Sequence, residues 1–362
     1  MSSLVVTSRP RHPLFQATGQ TGSGVSASGS RSNTRTNVKK GEEPAPKTPE
    51  SPLVKRARRM TIGKPLARLL VNSAKGPLLG KAYSRTLNQC GTLLDQEGGK
   101  IKTYYCGYRW CVVCSAIRTA RAFHAYGSQI DQWEDPWFVT LTIPNCTAEE
   151  LRSKVREMHQ AINLLARTLK NRFGKENVSF IRSTECTYSD KRAAAGKKDV
   201  FHPHQHLAVR GEAVARAIHS EWLKRWEGTH SKGQDCRPAT AGICSEVLKY
   251  SVKLASDLRG ADGSRKVVPG HALNTMFEAF RGMRLLAATG IKSATGEEVV
   301  VDELAELELD VGTPAISRVT ESVVWAWDEG ATDWVSHDGE CMTGYEPSEH
   351  IRRFVQVLNE AE

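Results

Sequence analysis

The sequence predicts an α+β fold in which helices flank a central antiparallel sheet. Residues 138–143 form an apolar, β-branched run between Pro136 and Pro144, which predicts a strand. Further strands are predicted over residues 178–188 and along the histidine-rich run that begins at Phe201. Helical patterns separate these strands without a regular β-α-β alternation, which favours an antiparallel sheet over a parallel one.

Three helices are predicted around these strands. Thr147 and Glu150 form a capping box, and the apolar spacing that follows predicts a long helix ending near Gly174. A second helix is predicted over residues 212–226, after the histidine-rich strand, and a third over residues 245–254. The third helix has apolar residues for a buried side and a polar stripe on another face.

The composition is that of a globular chain. It has 362 residues, of which 40% are hydrophobic and 25% charged, so it can bury a sizeable core. No apolar run reaches the roughly 20 residues that cross a bilayer, and an apolar N-terminal signal segment is absent. We therefore expect a cytoplasmic protein without a membrane partner. Nine cysteines, odd in number and unevenly spaced, favour reduced thiols over a disulfide framework.

Composition and charge divide the chain into four segments. Residues 1–65 are predicted to be a disordered basic tail, because they are poor in large apolar residues. A cysteine-bearing segment (66–135) and an α+β domain (136–290) follow, and an acidic segment (291–362) ends the chain. Residues 69–300 carry 34 Lys and Arg against 22 Asp and Glu, which suits a polyanionic partner, although ordinary solvated side chains give the same count.

Three histidines alternate with other residues in the run F-H-P-H-Q-H-L-A-V. Side chains two apart on a strand point to the same face, so His204 and His206 can aim their imidazoles at one metal ion. His202 shares that face. The apolar residues 207–209 support a buried strand, whereas the alternative for an isolated H-x-H pattern is a surface turn.

The third predicted helix places an acid, a phenol and an amine on one stripe. Glu246, Tyr250 and Lys253 fall at positions i, i+4 and i+7. These groups suit phosphodiester cleavage, with the tyrosine as nucleophile, the lysine on a phosphate and the glutamate activating water. The alternative is a solvated Glu/Lys helix with one tyrosine. A phenol with a pKa near 10 needs help to react, which a nearby metal ion would supply.

A second metal site is predicted upstream of the sheet. Cys90, Cys106, Cys111 and Cys114 are spaced as ligands of a structural Zn²⁺, although reduced thiols in a packed hairpin remain an alternative. Aromatic residues interleave with Arg109 over residues 104–110, a combination that stacks on unpaired bases or packs in a core. The other five cysteines show no ligand spacing.

Three motifs, F-V-T-L-T-I-P-N, H-P-H-Q-H-L-A-V and E-V-L-K-Y-S-V-K, occur in this order. Together they resemble the ordered motifs of the HUH endonuclease superfamily, and most closely the rolling-circle replication initiators (Rep proteins) of small bacterial plasmids. The resemblance spans roughly residues 88–258. It implies that the sheet is an HUH/RRM-like palm, that residues 136–290 are the nicking domain, and that residues 66–135 bind zinc and DNA.

The resemblance also implies roles for individual residues. His204 and His206 match the pair that binds Mg²⁺ or Mn²⁺, His202 matches an additional histidine of the plasmid group, and Glu185 matches a candidate third ligand. Tyr250 matches the nucleophile, and Lys253 matches the motif-3 lysine. Glu246 matches a glutamate that replaces a second tyrosine in the termination step. Gln205 departs from the pattern, which usually has a hydrophobic residue there; it lies on the face opposite the ligands.

The implied activity is sequence-specific, metal-dependent nicking of single-stranded DNA at a replication origin through a 5′-phosphotyrosine. Arg118 and Arg121 follow the cysteine cluster, as in the plasmid group, and Arg109 lies in the aromatic run; all three are expected to bind DNA. Host helicase and polymerase are candidate partners, and the sequence indicates no oligomeric state.

Two alternatives remain: an HUH transposase or mobilisation relaxase, and a zinc-containing DNA-binding regulator without catalysis. Relaxases commonly place the tyrosine before the histidines, whereas Tyr250 follows them.

Overall fold

A computed structural model describes residues 50–97, 100–226, 228–229, 233–240, 242–249, 258–259, 265–294, 309–310 and 323–361. All of them belong to one compact unit, Glu50–Glu362. The helices in the described residues are α1 (Pro52–Asn72), α2 (Pro77–Asn88), α3 (Val112–Ile130), α4 (Ala148–Phe173), α5 (Asp190–Ala194), α6 (Glu212–Arg225), α7 (Ile243–Lys249), α8 (Gly270–Phe280) and α9 (Glu349–Glu360).

The strands in the described residues form three sheets. They are β1 (Leu93–Glu97), β2 (Lys100–Lys102), β3 (Pro136–Thr142), β4 (Phe180–Tyr188), β5 (Phe201–Arg210), β6 (Asp235–Pro238), β7 (Leu258–Arg259), β8 (Arg265–Lys266), β9 (Leu286–Thr289), β10 (Leu309–Asp310), β11 (Val323–Asp328) and β12 (Asp333–Val335). The strand orders are β6-β3-β5-β4-β9, β10-β2-β1-β11-β12 and β7-β8.

The sheet of β6, β3, β5, β4 and β9, here the central sheet, is antiparallel throughout. Its middle strand, β5, carries the alternating histidines. The register pairs His204 with Thr142 on one side and with Glu185 on the other. The predicted α+β class, an antiparallel sheet flanked by helices, is confirmed.

Two helical layers cover the two faces of the central sheet. On one face, Leu207 and Val209 pack in a core with Ile162 of α4 and Trp222 of α6. On the other face, Ala208 packs with α3 and α7. Because side chains alternate along β5, His204 and His206 point to the face of α3 and α7.

Local signals position α4 across the sheet. The Thr147 hydroxyl accepts from the Glu150 backbone N–H, and the Glu150 carboxylate accepts from the Thr147 N–H, so the predicted capping box is present. The helix ends at Gly174, whose φ of 90° lies in the left-handed region that favours glycine. Apolar residues at helical spacing, from Leu151 to Leu169, form the buried stripe.

Two observations concern the predicted segments. Helix α1 begins at Pro52, inside the residues 1–65 predicted to be a disordered tail, and within that range its Ala57 and Met60 are buried. The basic side chains of residues 55, 56, 58 and 59 gave this stretch the composition of a solvated segment. In the acidic segment, β11 pairs with β1 from the cysteine-bearing segment, so the two segments share one sheet.

None of the helices in the described residues has both the length and the apolar character that a bilayer span requires.

Candidate functional site

The two ligand histidines and Glu185 converge on one point of the central sheet. The register places Glu185 of β4 opposite His204 of β5, and alternation brings His206 to the same face. Glu185 Oε2 lies 3.5 Å from Nε2 of His204 and 3.5 Å from Nε2 of His206. The ligand atoms of the three residues all lie within 4.8 Å of one another. The structure thus brings together the predicted pair and the predicted third ligand.

Contacts to the other ring nitrogens orient both imidazoles. The His204 Nδ1–H donates to the backbone carbonyl of His202 at 3.0 Å, and His206 Nδ1 lies 3.2 Å from the hydroxyl oxygen of Thr140. Phe138 stacks on the His206 ring at 5.6 Å between centroids. Each Nε2 is thereby left to face Glu185, the arrangement by which proteins fix the tautomer of a metal-binding histidine.

The electrostatics of this group favour the forms that bind a cation. Burial alone raises the pKa of the Glu185 carboxyl, but the His204 and His206 imidazoles lower it more, to about 2. Burial lowers the pKa of His206, against the opposing effect of Glu185 and Glu246. Glu185 Oε2 is fully buried and has no hydrogen bond of ordinary geometry. A buried carboxylate oxygen that faces two imidazoles at 3.5 Å fits a site built around a cation.

His202 lies outside this three-residue group. Its Nδ1 forms a 2.8 Å hydrogen bond with Asn145 Oδ1, and its ring stacks on His204 at 5.6 Å between centroids. Burial lowers its pKa to about 4. A cavity of about 290 Å³ begins at His202 and is lined also by Thr142, Asn145 and Arg192. His202 therefore lies between this cavity and the three-residue group, whose own members are buried and do not line the cavity.

Helix α7 brings Glu246 over the histidine face. Val247 and Leu248 of α7 are buried against Ala208 of β5 and against α3. Glu246 is half-buried, and its charge raises the pKa of His206. Tyr250 and Lys253, the other two members of the predicted stripe, lie outside the described residues.

The four predicted cysteines also converge. The Sγ atom of Cys90 lies 3.6 Å from Cys111 Sγ and 3.5 Å from Cys114 Sγ. Cys106 Sγ lies 3.7 Å from Cys114 Sγ. All four ligand atoms lie within 4.8 Å of one another. A disulfide would need about 2.05 Å, so these are separate thiols arranged around a common centre.

Two buried cations accompany the cysteines. Arg56 is 5% exposed and lies over the Tyr105 ring at 5.2 Å, and Lys64 is 4% exposed and donates to Thr92 Oγ1 at 2.8 Å. Burial lowers the pKa of both groups, while Cys90 acts in the opposite direction on each. Positive charges buried beside four thiols offset the negative charge that thiolates would carry.

The three arginines expected to bind DNA differ in their surroundings. Arg118 is buried and donates to the Gly107 carbonyl at 2.6 Å, so it supports the cysteine loop instead of facing DNA. Arg109 and Arg121 are half-buried. The aromatic run near Arg109 is mixed: Tyr105 is buried and Trp110 packs between Tyr83 and Tyr108, whereas Tyr104 is exposed.

The sequence pattern missed the residues that support the site. Thr140 and Asn145 orient two of the histidines, yet a threonine in a strand and an asparagine after a proline are ordinary there. Trp334 was missed as well; its indole N–H donates to the Gly91 carbonyl at 2.8 Å, beside the cysteines.

Comparisons with known proteins agree with the motifs. A family model described as "Replication protein" (Rep_1) matches residues 100–335. A "Protein rep" of Lentilactobacillus hilgardii is 23% identical over 288 residues, covering 69% of this chain and 87% of that protein. A "Protein rep" of Bacillus amyloliquefaciens is 27% identical over 268 residues, covering 62% and 74%.

A "Protein rep" of Staphylococcus aureus is 26% identical over 203 residues, which is 48% of this chain and 84% of that protein. No solved structure matches significantly. The family model spans more than half of the chain and includes β3, β4, β5 and α7, on which the histidine site stands. This chain therefore belongs to the replication protein family Rep_1, and the resemblance to plasmid replication initiators is confirmed.

Proposed function

We propose that this replication initiator is a metal-dependent endonuclease that nicks single-stranded DNA at the origin and becomes joined to it through Tyr250. One observation carries the proposal: the group of Glu185, His204 and His206 lies on the sheet face over which α7 packs. Helix α7 ends at Lys249, and Tyr250 is the next residue in the chain.

The chemistry is a transfer between two phosphate esters. The phenol oxygen of Tyr250 attacks the scissile phosphorus, the bond to the 3′ oxygen breaks, and that oxygen takes a proton and leaves as a free 3′-OH. The DNA 5′-phosphate stays on the tyrosine as an ester of similar energy, so a second transfer can rejoin the strand. No nucleotide cofactor is required. Host polymerase and helicase are the partners proposed to use the 3′ end.

The three buried ligands are proposed to hold Mg²⁺ or Mn²⁺. Two imidazoles and one ionised carboxylate suit a divalent ion, and three protein ligands leave positions for phosphate oxygens. Bound there, the ion would polarise the scissile phosphate and stabilise the charge that develops on it. Lys253 is proposed to hold the same phosphate, and Arg109 and Arg121 the flanking DNA.

Glu246 is proposed to act in termination. A carboxylate four residues before the nucleophile in the chain would activate a water that hydrolyses the phosphotyrosine. Its half-buried position near His206 supports this role.

The four cysteines are proposed to hold a structural Zn²⁺. Thiolates bind zinc at about 2.3 Å in a tetrahedron, whose S–S edges are then about 3.8 Å. The observed separations of 3.5 to 3.7 Å agree with that geometry.

The decisive experiment traps the covalent product. The protein is incubated with Mn²⁺ and single-stranded DNA of the replicon that encodes it, and the SDS-stable protein–DNA adduct is digested and mapped by mass spectrometry. We expect the DNA on Tyr250, a loss of the adduct after chelation, and neither nick nor adduct in Tyr250→Phe. An adduct that survives in Tyr250→Phe would contradict the proposal, and reversible duplex binding without cleavage would favour a regulator.

Glu246 is tested separately. Glu246→Ala should nick at a normal initial rate but accumulate the covalent complex, because hydrolysis of the phosphotyrosine fails. Normal turnover by this variant would remove Glu246 from the mechanism. Glu157→Ala, an exposed glutamate on α4, is the matched control and should behave as the native protein.

A further inference from the structure

The charge of the chain is unusually one-sided around helix α2. Residues 51–94 contain nine Lys and Arg and no Asp or Glu. Some of these cations are used internally: Arg56 and Lys64 are buried, and Arg68 forms a bidentate pair with Glu329 at 2.8 Å. Two that remain exposed, Lys81 and Arg85, lie on α2 and form no ion pair among the described residues.

Helix α2 has a clear inner and outer face. Leu79, Tyr83 and Thr86 are buried at helical spacing. The outer face lines an open groove of about 490 Å³, and no acidic residue lines it. Its polar lining residues are Lys81, Ser84, Arg85, Asn88 and Gln89.

The inner face fixes the helix to the cysteine cluster. Tyr83 packs edge-on against Trp110 at 4.8 Å between centroids, and the Trp110 indole N–H donates to Thr86 Oγ1 at 3.0 Å. The Thr86 hydroxyl in turn contacts Cys106 Sγ at 3.4 Å. The chain leaves α2 directly into Cys90, whose backbone N–H donates to the Arg85 carbonyl at 3.3 Å. The inner face thus holds α2 in place, and on the outer side Arg85 Nη1 makes a 3.4 Å hydrogen bond to the Tyr108 hydroxyl.

We infer that α2 is a recognition helix that binds duplex DNA in the major groove, outside the nicking centre. The major groove, about 12 Å wide, admits an α-helix, and Arg, Asn and Gln are the side chains that form bidentate contacts with guanine and adenine. Single-strand binding surfaces instead use stacked aromatic rings. The polar side chains that line the groove are cations, amides and one hydroxyl, with no aromatic ring among them.

This inference rests on the proposed function for its setting, since the duplex would flank the nicked strand at the same origin. The chemistry of the two sites is separate. Glu185, His204 and His206 lie on β4 and β5 of the central sheet, whereas α2 packs on α1 and on the loop of Cys106. Substitutions on α2 can therefore be measured against an intact nicking centre.

The first experiment measures the phosphate contacts with the full-length protein. Anisotropy titrations with a fluorescein-labelled 24-bp duplex of random sequence are run at several salt concentrations. Lys81→Ala/Arg85→Ala should weaken binding by about tenfold at moderate salt and make the log–log salt slope shallower by about 2, since two phosphate contacts are lost. Arg156→Ala/Arg167→Ala, which removes two exposed cations from α4, is the matched control and should match the native protein.

Three outcomes would overturn the inference. One is native affinity and salt slope in Lys81→Ala/Arg85→Ala, and another is equal loss in the α4 control. The third is equally tight binding of a 24-bp RNA duplex, because the A-form major groove is too narrow for a helix. Nicking of single-stranded DNA is measured in parallel. The nicking rate of Lys81→Ala/Arg85→Ala should equal that of the native protein. If neither the native protein nor any variant nicks, the proposed nicking function fails, while the duplex-binding data still decide the role of α2.

The second experiment tests contacts to bases. The native protein is used to select ligands from a random duplex library, and the enriched motif is compared with that selected by Asn88→Ala/Gln89→Ala. We expect the variant to lose enrichment of the native motif while its affinity for random duplex changes less than twofold. Selection of the same motif by this variant would contradict base contact by α2. Circular dichroism melting of both proteins checks that α2 remains folded.

Discussion

The two ligand groups of this protein are built in opposite ways. The cysteine group has four soft ligands from a loop, a helix end and the start of α3, and Cys90, Cys111 and Cys114 are buried. The Glu–His–His group has three harder ligands from two adjacent strands; all three are buried, and the neighbouring His202 lines a cavity. A closed set of four thiolates is typical of structural metal, and an incomplete set of three is typical of a metal that meets substrate.

Their surroundings differ in the same sense. The cysteine group is flanked by the buried cations Arg56 and Lys64, which would offset the negative charge of thiolates. The histidine group has instead an acid in its neighbourhood, Glu246, which adds negative charge near His206. Under the proposed function, the protein itself neutralises the first site, whereas a cation and a phosphate complete the second.

The largest expected effect is on stability, from loss of the closed site. Cys114→Ser should lower the free energy of unfolding by about 4–5 kcal/mol or more, because losing a structural metal is among the costliest single changes. Zinc content of the purified protein should fall from one ion per chain to none. Urea unfolding measures the free energy of unfolding, and metal analysis measures the zinc content.

Cys244→Ser is the control for that prediction. Cys244 is fully buried but belongs to no ligand group in the described residues, so its substitution measures only the cost of burying a hydroxyl, about 1–3 kcal/mol. Equal losses in the two variants, with unchanged zinc content, would show that the four cysteines are merely packed thiols.

The open site should respond in activity and hardly in stability. His206→Ala should reduce covalent adduct formation roughly 100-fold or more, as expected when charge stabilisation of a transition state is lost. Its melting temperature should fall much less than that of Cys114→Ser. His219→Ala, a half-buried histidine of α6 on the other face of the sheet, should nick normally. A His206→Ala variant with native activity would remove this group from the reaction.

Much of the fold could be predicted because its signals are local. The capping box at Thr147 and the alternation along β5 each depend on residues a few positions apart. The pairing of Leu94 with Trp325 could not be predicted, because strand partners so distant in sequence leave no local pattern. Helix α1 was missed for a similar reason: its buried Arg56 lies over Tyr105 and its Lys64 donates to Thr92, and both partners are distant in sequence.

The same distinction between local and distant signals applies to the residues of the candidate sites. His204, His206 and the four cysteines are marked by residue type and spacing, and the family motifs added Glu185. Thr140 and Asn145 are marked only by what they contact. Arg118 illustrates the reverse case: its place after a cysteine cluster predicts DNA binding, while in the structure it is buried and donates to a backbone carbonyl.

The pH dependence of metal binding should separate the two groups. The lowered pKa values of Glu185, about 2, and of His206 mean that protons compete at the open site only below the ordinary histidine pKa. Mn²⁺ affinity should therefore be flat above pH about 6.5 and fall below it, by up to about tenfold per pH unit for each proton taken up.

The closed site should behave differently. Hydrogen bonding to Cys106 and burial raise the pKa of Cys90 and of Cys114 well above the ordinary value. These thiols must lose protons on binding, so zinc affinity should rise with pH from 6 to 8, where Mn²⁺ affinity is flat. Calorimetry in buffers of different ionisation enthalpy measures both. A Mn²⁺ affinity that still rises above pH 7.5 would contradict the assigned protonation states.

A smaller effect is expected from the contact that orients His206. Thr140→Val keeps the shape of the side chain but removes the oxygen 3.2 Å from His206 Nδ1. Outer contacts of this kind are worth about 10–100-fold in metal affinity, and we expect the lower end because the Phe138 ring still holds the imidazole. Titration with Mn²⁺ measures it, with Thr187→Val of β4 as control.

The smallest effect should come from His202, which decides whether the open site has three protein ligands or four. Its Nδ1 is engaged with Asn145 and its ring lies beside that of His204, outside the convergent group. His202→Ala should therefore change Mn²⁺ affinity by less than the roughly tenfold minimum for an outer contact. Because His202 lines the cavity, the KM for DNA should rise instead. A loss of Mn²⁺ affinity equal to that of His206→Ala would make His202 a ligand, and the distinction between a closed and an open site would then fail.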